Sequence, residues 1–171
     1  MTEEILRADL TNRQHADAII HLLNEYARDI MGGGEDLSDY TKTHLVAALQ
    51  QRQGVHIVLA FIDGKPAGLA NCFEGFSTFA CKPLLNIHDI TVTPEFRGRG
   101  LSKKIMHKVE GIAQQLGCCK ITLEVLEGNK VAQKLYEACG YAGYSLDPQM
   151  GNALFWQKKL NSDNTDATLN P

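Results

Sequence analysis

The chain has 171 residues, 44% of them hydrophobic, and a formal net charge of -3 from 17 basic and 20 acidic side chains. That length suits one domain with a full core, and the absence of a Lys/Arg run argues against a nucleic-acid partner. No stretch approaches the ~20 apolar residues of a membrane span, and residues 1–9 lack the basic and apolar parts of a secretory leader. The expectation is a cytoplasmic protein with no membrane partner, folded over residues 1–160 and disordered over 161–171, where apolar residues are few. Five cysteines, an odd number with no Cys-x-x-Cys and with Cys118 next to Cys119, fit neither a disulfide framework nor a zinc site. They read as small buried hydrophobes, and no metal is expected.

Along the chain, strand and helix periods alternate. Residues 4–10 read as a first strand. Thr11 or Asn12 caps a helix whose apolar residues Ala16, Ile19, Leu23, Tyr26, Ala27 and Ile30 recur at three- and four-residue intervals, and Gly32-Gly33-Gly34 ends it. A second helix follows over 38–51, with Leu45, Val46 and Leu49 inward. Residues 55–62 and 67–76 form an antiparallel pair joined by Asp63-Gly64, a strong hairpin signal. Residues 86–93 make a third long strand.

The next helix carries Leu101, Ile105, Val109, Ile112 and Leu116 on one face, with Gly117 past its end. Residues 120–126 alternate as a strand, which the strand-helix-strand order makes parallel to the one before it. A helix over 129–139 and a closing hairpin of 141–145 with 153–160 complete the series.

The most informative segment joins the third strand to the third helix, Val92-Thr93-Pro94-Glu95-Phe96-Arg97-Gly98-Arg99-Gly100-Leu101-Ser102. Gly98 and Gly100 permit close backbone approach, and the first helical turn offers N–H groups with no intrahelical partner. That combination is an anion site, and Arg97 and Arg99 add charge suited to phosphate. The spacing excludes a Walker loop, because Lys103 follows Ser102 without a preceding glycine. It also excludes a dinucleotide fingerprint, whose third glycine would stand at Lys103.

The pattern that remains, Arg97-x-x-Gly100-x-Ser102 after a Val-x-Pro strand end, resembles the acetyl-CoA pyrophosphate loop of the GNAT superfamily of N-acetyltransferases. A second segment, Glu124-Val125-Leu126-Glu127-Gly128-Asn129 leading through Ala132 and Tyr136 to Gly140-Tyr141, resembles the other half of that cofactor site. The resemblance implies an α/β (α+β) fold: a single GNAT-like domain with a mixed twisted sheet of about six to seven strands and about four flanking helices. It implies an enzyme that uses acetyl-CoA, held by Ile90, Thr91, Val92, Arg97, Gly98, Arg99, Gly100, Leu101, Ser102, Asn129, Ala132 and Tyr136. It also implies a homodimer, for which the strand expected at 153–160, with Phe155 and Trp156, offers an edge.

Acetyl transfer to an amine needs a group that removes a proton from an ammonium whose pKa is ~10.4. His88 is the candidate base, since its ordinary pKa of ~6.5 lies near working pH and it stands on the strand entering the loop. A water relay is the alternative. Tyr136 is the candidate acid for the departing thiolate, by its place in the family motif. The resemblance assigns the carbonyl-binding N–H to Ile90, exposed by a bulge expected within residues 89–92.

For the acceptor, Glu35, Asp36 and Asp39 crowd the segment after the glycines, Asp89 adjoins His88, and Glu74 interrupts an aromatic strand containing Phe73 and Phe76. Acidic groups attract ammonium and aromatic faces add cation–π attraction. Glu35, Asp36, Glu74, Phe76 and Asp89 are therefore the candidate acceptor residues. Gly75 to Leu85, followed by the acid at position 89, is similar to diamine and thialysine acetyltransferases, in which the base is usually Glu rather than His. The expected acceptor is a small amino compound. A protein lysine or N-terminus is the alternative, and a non-catalytic acetyl-CoA-binding module is the alternative of another class.

Overall fold

In the computed structural model, which describes residues 2–160, the chain builds a mixed sheet with helices on both faces. The strands β1 (Glu3–Arg7), β2 (Val55–Ile62), β3 (Lys65–Ser77), β4 (Lys82–Val92) and β5 (Ile121–Leu123) lie side by side in chain order. β1 to β4 are antiparallel neighbours, and β5 runs parallel to β4. The helices are α1 (Arg13–Arg28), α2 (Asp39–Gln50), α3 (Leu101–Gln115) and α4 (Lys130–Ala138). These elements belong to a compact unit that ends at Tyr141, and a second unit begins at Ala142.

The helix starts follow capping chemistry. The Asn12 side chain accepts from the N–H groups of Gln14 and His15, and the Ser38 hydroxyl accepts from Thr41. The β2–β3 turn places Asp63 at φ 48° and Gly64 at φ 77°, the two positive angles of a type I′ hairpin. β2 is buried on both faces, which explains its unbroken apolar run. Val58, Ala60 and Ile62 pack with Ile105, Met106 and Val109 of α3, whereas Ile57, Leu59 and Phe61 pack with Ile19 and Leu22 of α1 and Leu49 of α2.

Two irregularities of pairing shape β4. β3 and β4 pair Asn71 with Asp89 but Cys72 with Ile87, so His88 is an extra residue, the centre of a β-bulge. β5 pairs β4 only through Leu85, Asn86 and Ile87, so the edge of residues 88–92 has no strand among the described residues opposite it on that side. The segment expected to continue β5 as far as Leu126 turns away instead. The Gln133 side chain of α4 holds it there, donating to the carbonyls of Leu126 at 3.0 Å and Glu127 at 2.8 Å.

The expected closing hairpin is corrected by the structure, and the sheet has five strands rather than six to seven. Residues 141–145 and 153–160 form no strand, and Pro148–Met150 is a short 3-10 helix. Their alternation is interrupted by Gly143, Pro148 and Gly151, and Leu154, Phe155 and Trp156 are exposed. A hairpin without a face to bury is marginal in water. The edge strand expected to carry self-association is therefore not formed. The tail expected to be disordered, 161–171, lies outside the described residues. No helix among the described residues is long and apolar enough to cross a membrane.

Candidate active site

Where β4 and β5 part, a cavity of about 510 Å³ opens. β4 supplies Ile90, Thr91 and Val92, and the following loop and first turn of α3 supply Arg97, Gly98, Gly100, Leu101, Ser102 and Lys103. Asn129, Ala132 and Tyr136 line it from the α4 side. The sequence expectations thus converge on one place, and of the proposed cofactor set Arg99 alone is not among the lining residues. Its guanidinium lies 5.5 Å from the centroid of the Phe96 ring, a cation–π distance.

The loop has the form of an anion cradle. Gly98 and Gly100 hold φ of 77° and 74°, and a Cβ built on either would meet nothing within 4 Å. Their backbone therefore faces open space. Gly100 is the N-cap of α3, whose first turn has neither a side-chain cap nor an acidic residue. The N–H groups there, with Lys103 beside them, suit a phosphate group.

Arg97 lines the cavity and is also braced from within the protein. Its Nε donates to the Val92 carbonyl at 2.9 Å and its Nη2 to Asp29 Oδ2 at 3.1 Å. It ties the strand end and the loop to the end of α1. The Asn129 side chain caps α4, its Oδ1 accepting from Ala132 N–H at 3.1 Å.

Thr93 N–H donates to Ala67 on the β3 side at 3.0 Å. Because backbone groups alternate sides along a strand, the N–H groups of Val92 and Ile90 point to the open edge. The bulge falls at His88, just before the interval expected from sequence, and has a further effect. Asp89 accepts from Asn71 Nδ2 at 3.0 Å, while the His88 ring stands edge-on to Phe73 at 5.7 Å between centroids. Asn71 and Phe73 are two residues apart on β3 and share a face, so the adjacent His88 and Asp89 do too. A regular strand would place them on opposite faces.

Eight of the lining residues were not among the candidate site residues: Phe96, Lys103, Val131 and Leu135, and, at the end of α1 and just after it, Tyr26, Asp29, Ile30 and Met31. Asp29 is held below the usual carboxylate range, chiefly by the Met31 N–H and then by Arg97. Burial pushes the Tyr26 phenol up, helped by the charges of Asp89 and Asp29. Burial and then Tyr26 push Tyr136 up to about 12. Burial also pushes the Cys72 thiol up to about 12, which makes it a poor nucleophile.

None of the candidate acceptor residues, Asp89 included, is among those lining the cavity, and neither is His88, although His88 and Asp89 immediately precede the lining residue Ile90 on β4. Asp36 is paired with Arg28 and, at 3.1 Å, with Lys42. Glu74 accepts at 2.5 Å from the buried His56, and Phe76 and Glu35 are exposed. Their charges or rings are engaged locally or face solvent.

A parallel sheet edge that splays beside a helix-terminal anion cradle defines a nucleotide-type ligand site on an α/β scaffold. Residues 16–141 match the acetyltransferase (GNAT) family. The chain belongs to that family. It is 31% identical over 91 residues to a thialysine N-epsilon-acetyltransferase of Caenorhabditis elegans, covering 53% of this chain and 56% of that protein. It therefore spans little more than half that relative's length. The uncharacterized N-acetyltransferase YhfO of Bacillus subtilis is 29% identical over 126 residues, 74% of this chain and 83% of YhfO. An integron cassette protein from the mobile metagenome of V. cholerae has the same fold, with a TM-score of 0.74 at 21% identity, covering 94% of each chain.

Proposed function

We propose that the protein transfers the acetyl group of acetyl-CoA directly to the primary amine of a small amino compound, polyamine or amino-acid-like. The observation that carries this reading is the bulge, which sets a candidate base and a carboxylate side by side, next to the strand edge that faces the cavity. The cradle at Gly98, Gly100 and the first turn of α3 suits the pyrophosphate of acetyl-CoA, and residues 90–92 suit its pantetheine arm.

In this reading Asp89 holds the acceptor ammonium by charge. His88 accepts the proton that must leave before attack, directly or through water, its imidazole being suited to that exchange near neutral pH. The Ile90 N–H faces the open edge, where the carbonyl oxygen would gain charge. Tyr136, protonated throughout the physiological range, donates a hydrogen bond to the departing sulfur. Complete transfer from a phenol at about 12 to a thiolate whose thiol titrates near ~8.5 is uphill by ~3.5 units, roughly 5 kcal/mol. Its first contribution is therefore hydrogen bonding to the thiolate. Tyr26, which feels the charge of Asp89, bounds the acceptor end, and the relatives named for thialysine support a small acceptor with more than one charged group.

The test is free-thiol release from acetyl-CoA across thialysine, spermidine, other amino acids, aminoglycosides and lysine peptides, with acetyl-CoA affinity measured by calorimetry. Turnover of one small-amine class, falling about 100-fold in His88→Ala, supports the proposal. Preference for lysine peptides would reassign the acceptor to protein. Tight binding without turnover would make the protein a non-catalytic acetyl-CoA module, and lack of binding would defeat the proposal altogether.

A further inference from the structure

Asn71 sits at the middle of β3, opposite Ile57 on β2 and Asp89 on β4. It shares its face with Leu69 and Phe73, residues of the apolar layer that packs under α1 and α2. At 4% exposure it is one of the few polar side chains in the interior. Its Nδ2 donates to Asp89 Oδ2 at 3.0 Å, but its Oδ1 is buried with no partner among the described residues. The assignment of the amide is chemically forced, since only the nitrogen can face an ionised carboxylate as a donor.

A buried carbonyl without a donor destabilises a fold, and a leucine of similar shape would join this layer without that cost. The one polar contact that holds asparagine in this layer is therefore its bond to Asp89. What asparagine does supply is a donor on the carboxylate at the flank of the bulge, immediately where the β3–β4 register shifts. Bulges re-aim side chains, and a carboxylate on a bent strand has several rotamers unless something fixes it.

We propose that Asn71 is a positioning residue for the acceptor: its carboxamide fixes the Asp89 carboxylate on the bulge and thereby sets affinity for the incoming ammonium. This inference rests on the acetyltransferase reading above and on Asp89 as the group that meets the ammonium. Asn71 touches neither the acceptor nor acetyl-CoA and acts only through Asp89.

The experiment is a double-mutant cycle on the full chain, with Asn71→Leu, Asp89→Asn and the double variant, using thialysine and spermidine as acceptors. Asn71→Leu is expected to raise the acceptor KM about ten-fold, as for loss of a hydrogen bond to a charged group. Its KM for acetyl-CoA should stay within about two-fold of wild type, because the phosphate cradle is not touched. In the Asp89→Asn background the same substitution should leave the acceptor KM unchanged. An Asn71→Leu variant with wild-type acceptor KM, or an effect of equal size in both backgrounds, would overturn the inference while leaving the acetyltransferase reading intact. An Asp89→Asn variant with unchanged acceptor KM, or a wild-type protein that acetylates neither probe, would instead remove the reading on which it rests.

Discussion

Two glycines with the same backbone angle separate strain from ligand binding. Gly98 in the cradle and Gly64 in the β2–β3 turn both hold φ of 77°, and a Cβ on either would meet nothing within 4 Å. Alanine at either site therefore brings the same penalty, roughly 1–2 kcal/mol for a left-handed L-residue. About 0.4–1 kcal/mol of it is offset by the stiffer unfolded chain. The net, on the order of 1 kcal/mol, lowers Tm by about 2–4 °C in a chain of this size.

The two variants part company in binding. At Gly64 the methyl group points into solvent at a hairpin tip. At Gly98 it occupies the open space where a phosphate would meet the backbone. Losing one charge-assisted hydrogen bond of ~1.5–3 kcal/mol weakens acetyl-CoA binding about 10- to 100-fold. Thermal unfolding and calorimetric titration of the two variants decide the matter. Equal Tm losses with affinity lost only in Gly98→Ala are expected. Wild-type affinity in Gly98→Ala would refute the cradle, and equal affinity loss in both would mean that the effect spreads through the fold.

Tyr136→Phe should lower kcat about 100-fold with acetyl-CoA affinity within about two-fold of wild type, because only the hydroxyl is removed from a packed ring; a collapse in affinity instead would assign Tyr136 to packing. Asp29→Asn tests the link between α1 and the loop through pH. Because the folded state depresses this carboxyl, its stabilising contribution is present above the unfolded pKa of ~3.9 and is lost as pH falls through the lower folded value. The Tm difference between wild type and Asp29→Asn should therefore narrow as pH falls below about 5, and a constant difference would show that the Met31 N–H and Arg97 contacts carry no charge-dependent stability.

The legible parts of the site are those written in one segment. The cradle needs only Arg97 to Ser102, and the α4 face only Asn129 to Tyr136, because a cap, a glycine and a helical period are local properties. Arg97 illustrates the boundary of that legibility. Its presence in the loop is a sequence fact, but its partner Asp29 lies 68 positions away, and that contact makes it a brace between the loop and the end of α1. The acidic residues misled for a related reason. Asp36 and Glu74 look like free negative charge in the sequence, whereas folding pairs one with Arg28 and Lys42 and the other with His56. The closing hairpin failed because alternation marks a strand only when one face finds a layer to cover, and Leu154, Phe155 and Trp156 stay exposed.

The pairing of His88 with Asp89 lay deepest. In a regular strand, neighbours point to opposite faces, so an acid directly after a base is the wrong spacing for joint action. One inserted residue reverses that, and the insertion is a property of the β3–β4 register rather than of β4 itself. Asn71 stands where the register shifts and bonds one member of the pair, and Phe73 meets the other. The placement of both side chains on one face is thus specified largely by β3, a strand that contributes no lining residue to the cavity. Substitutions on β3 around Asn71 and Phe73 that preserve its apolar layer but alter its contacts to His88 and Asp89 should therefore change acceptor kinetics more than acetyl-CoA binding, whose phosphate cradle lies beyond the end of that pairing.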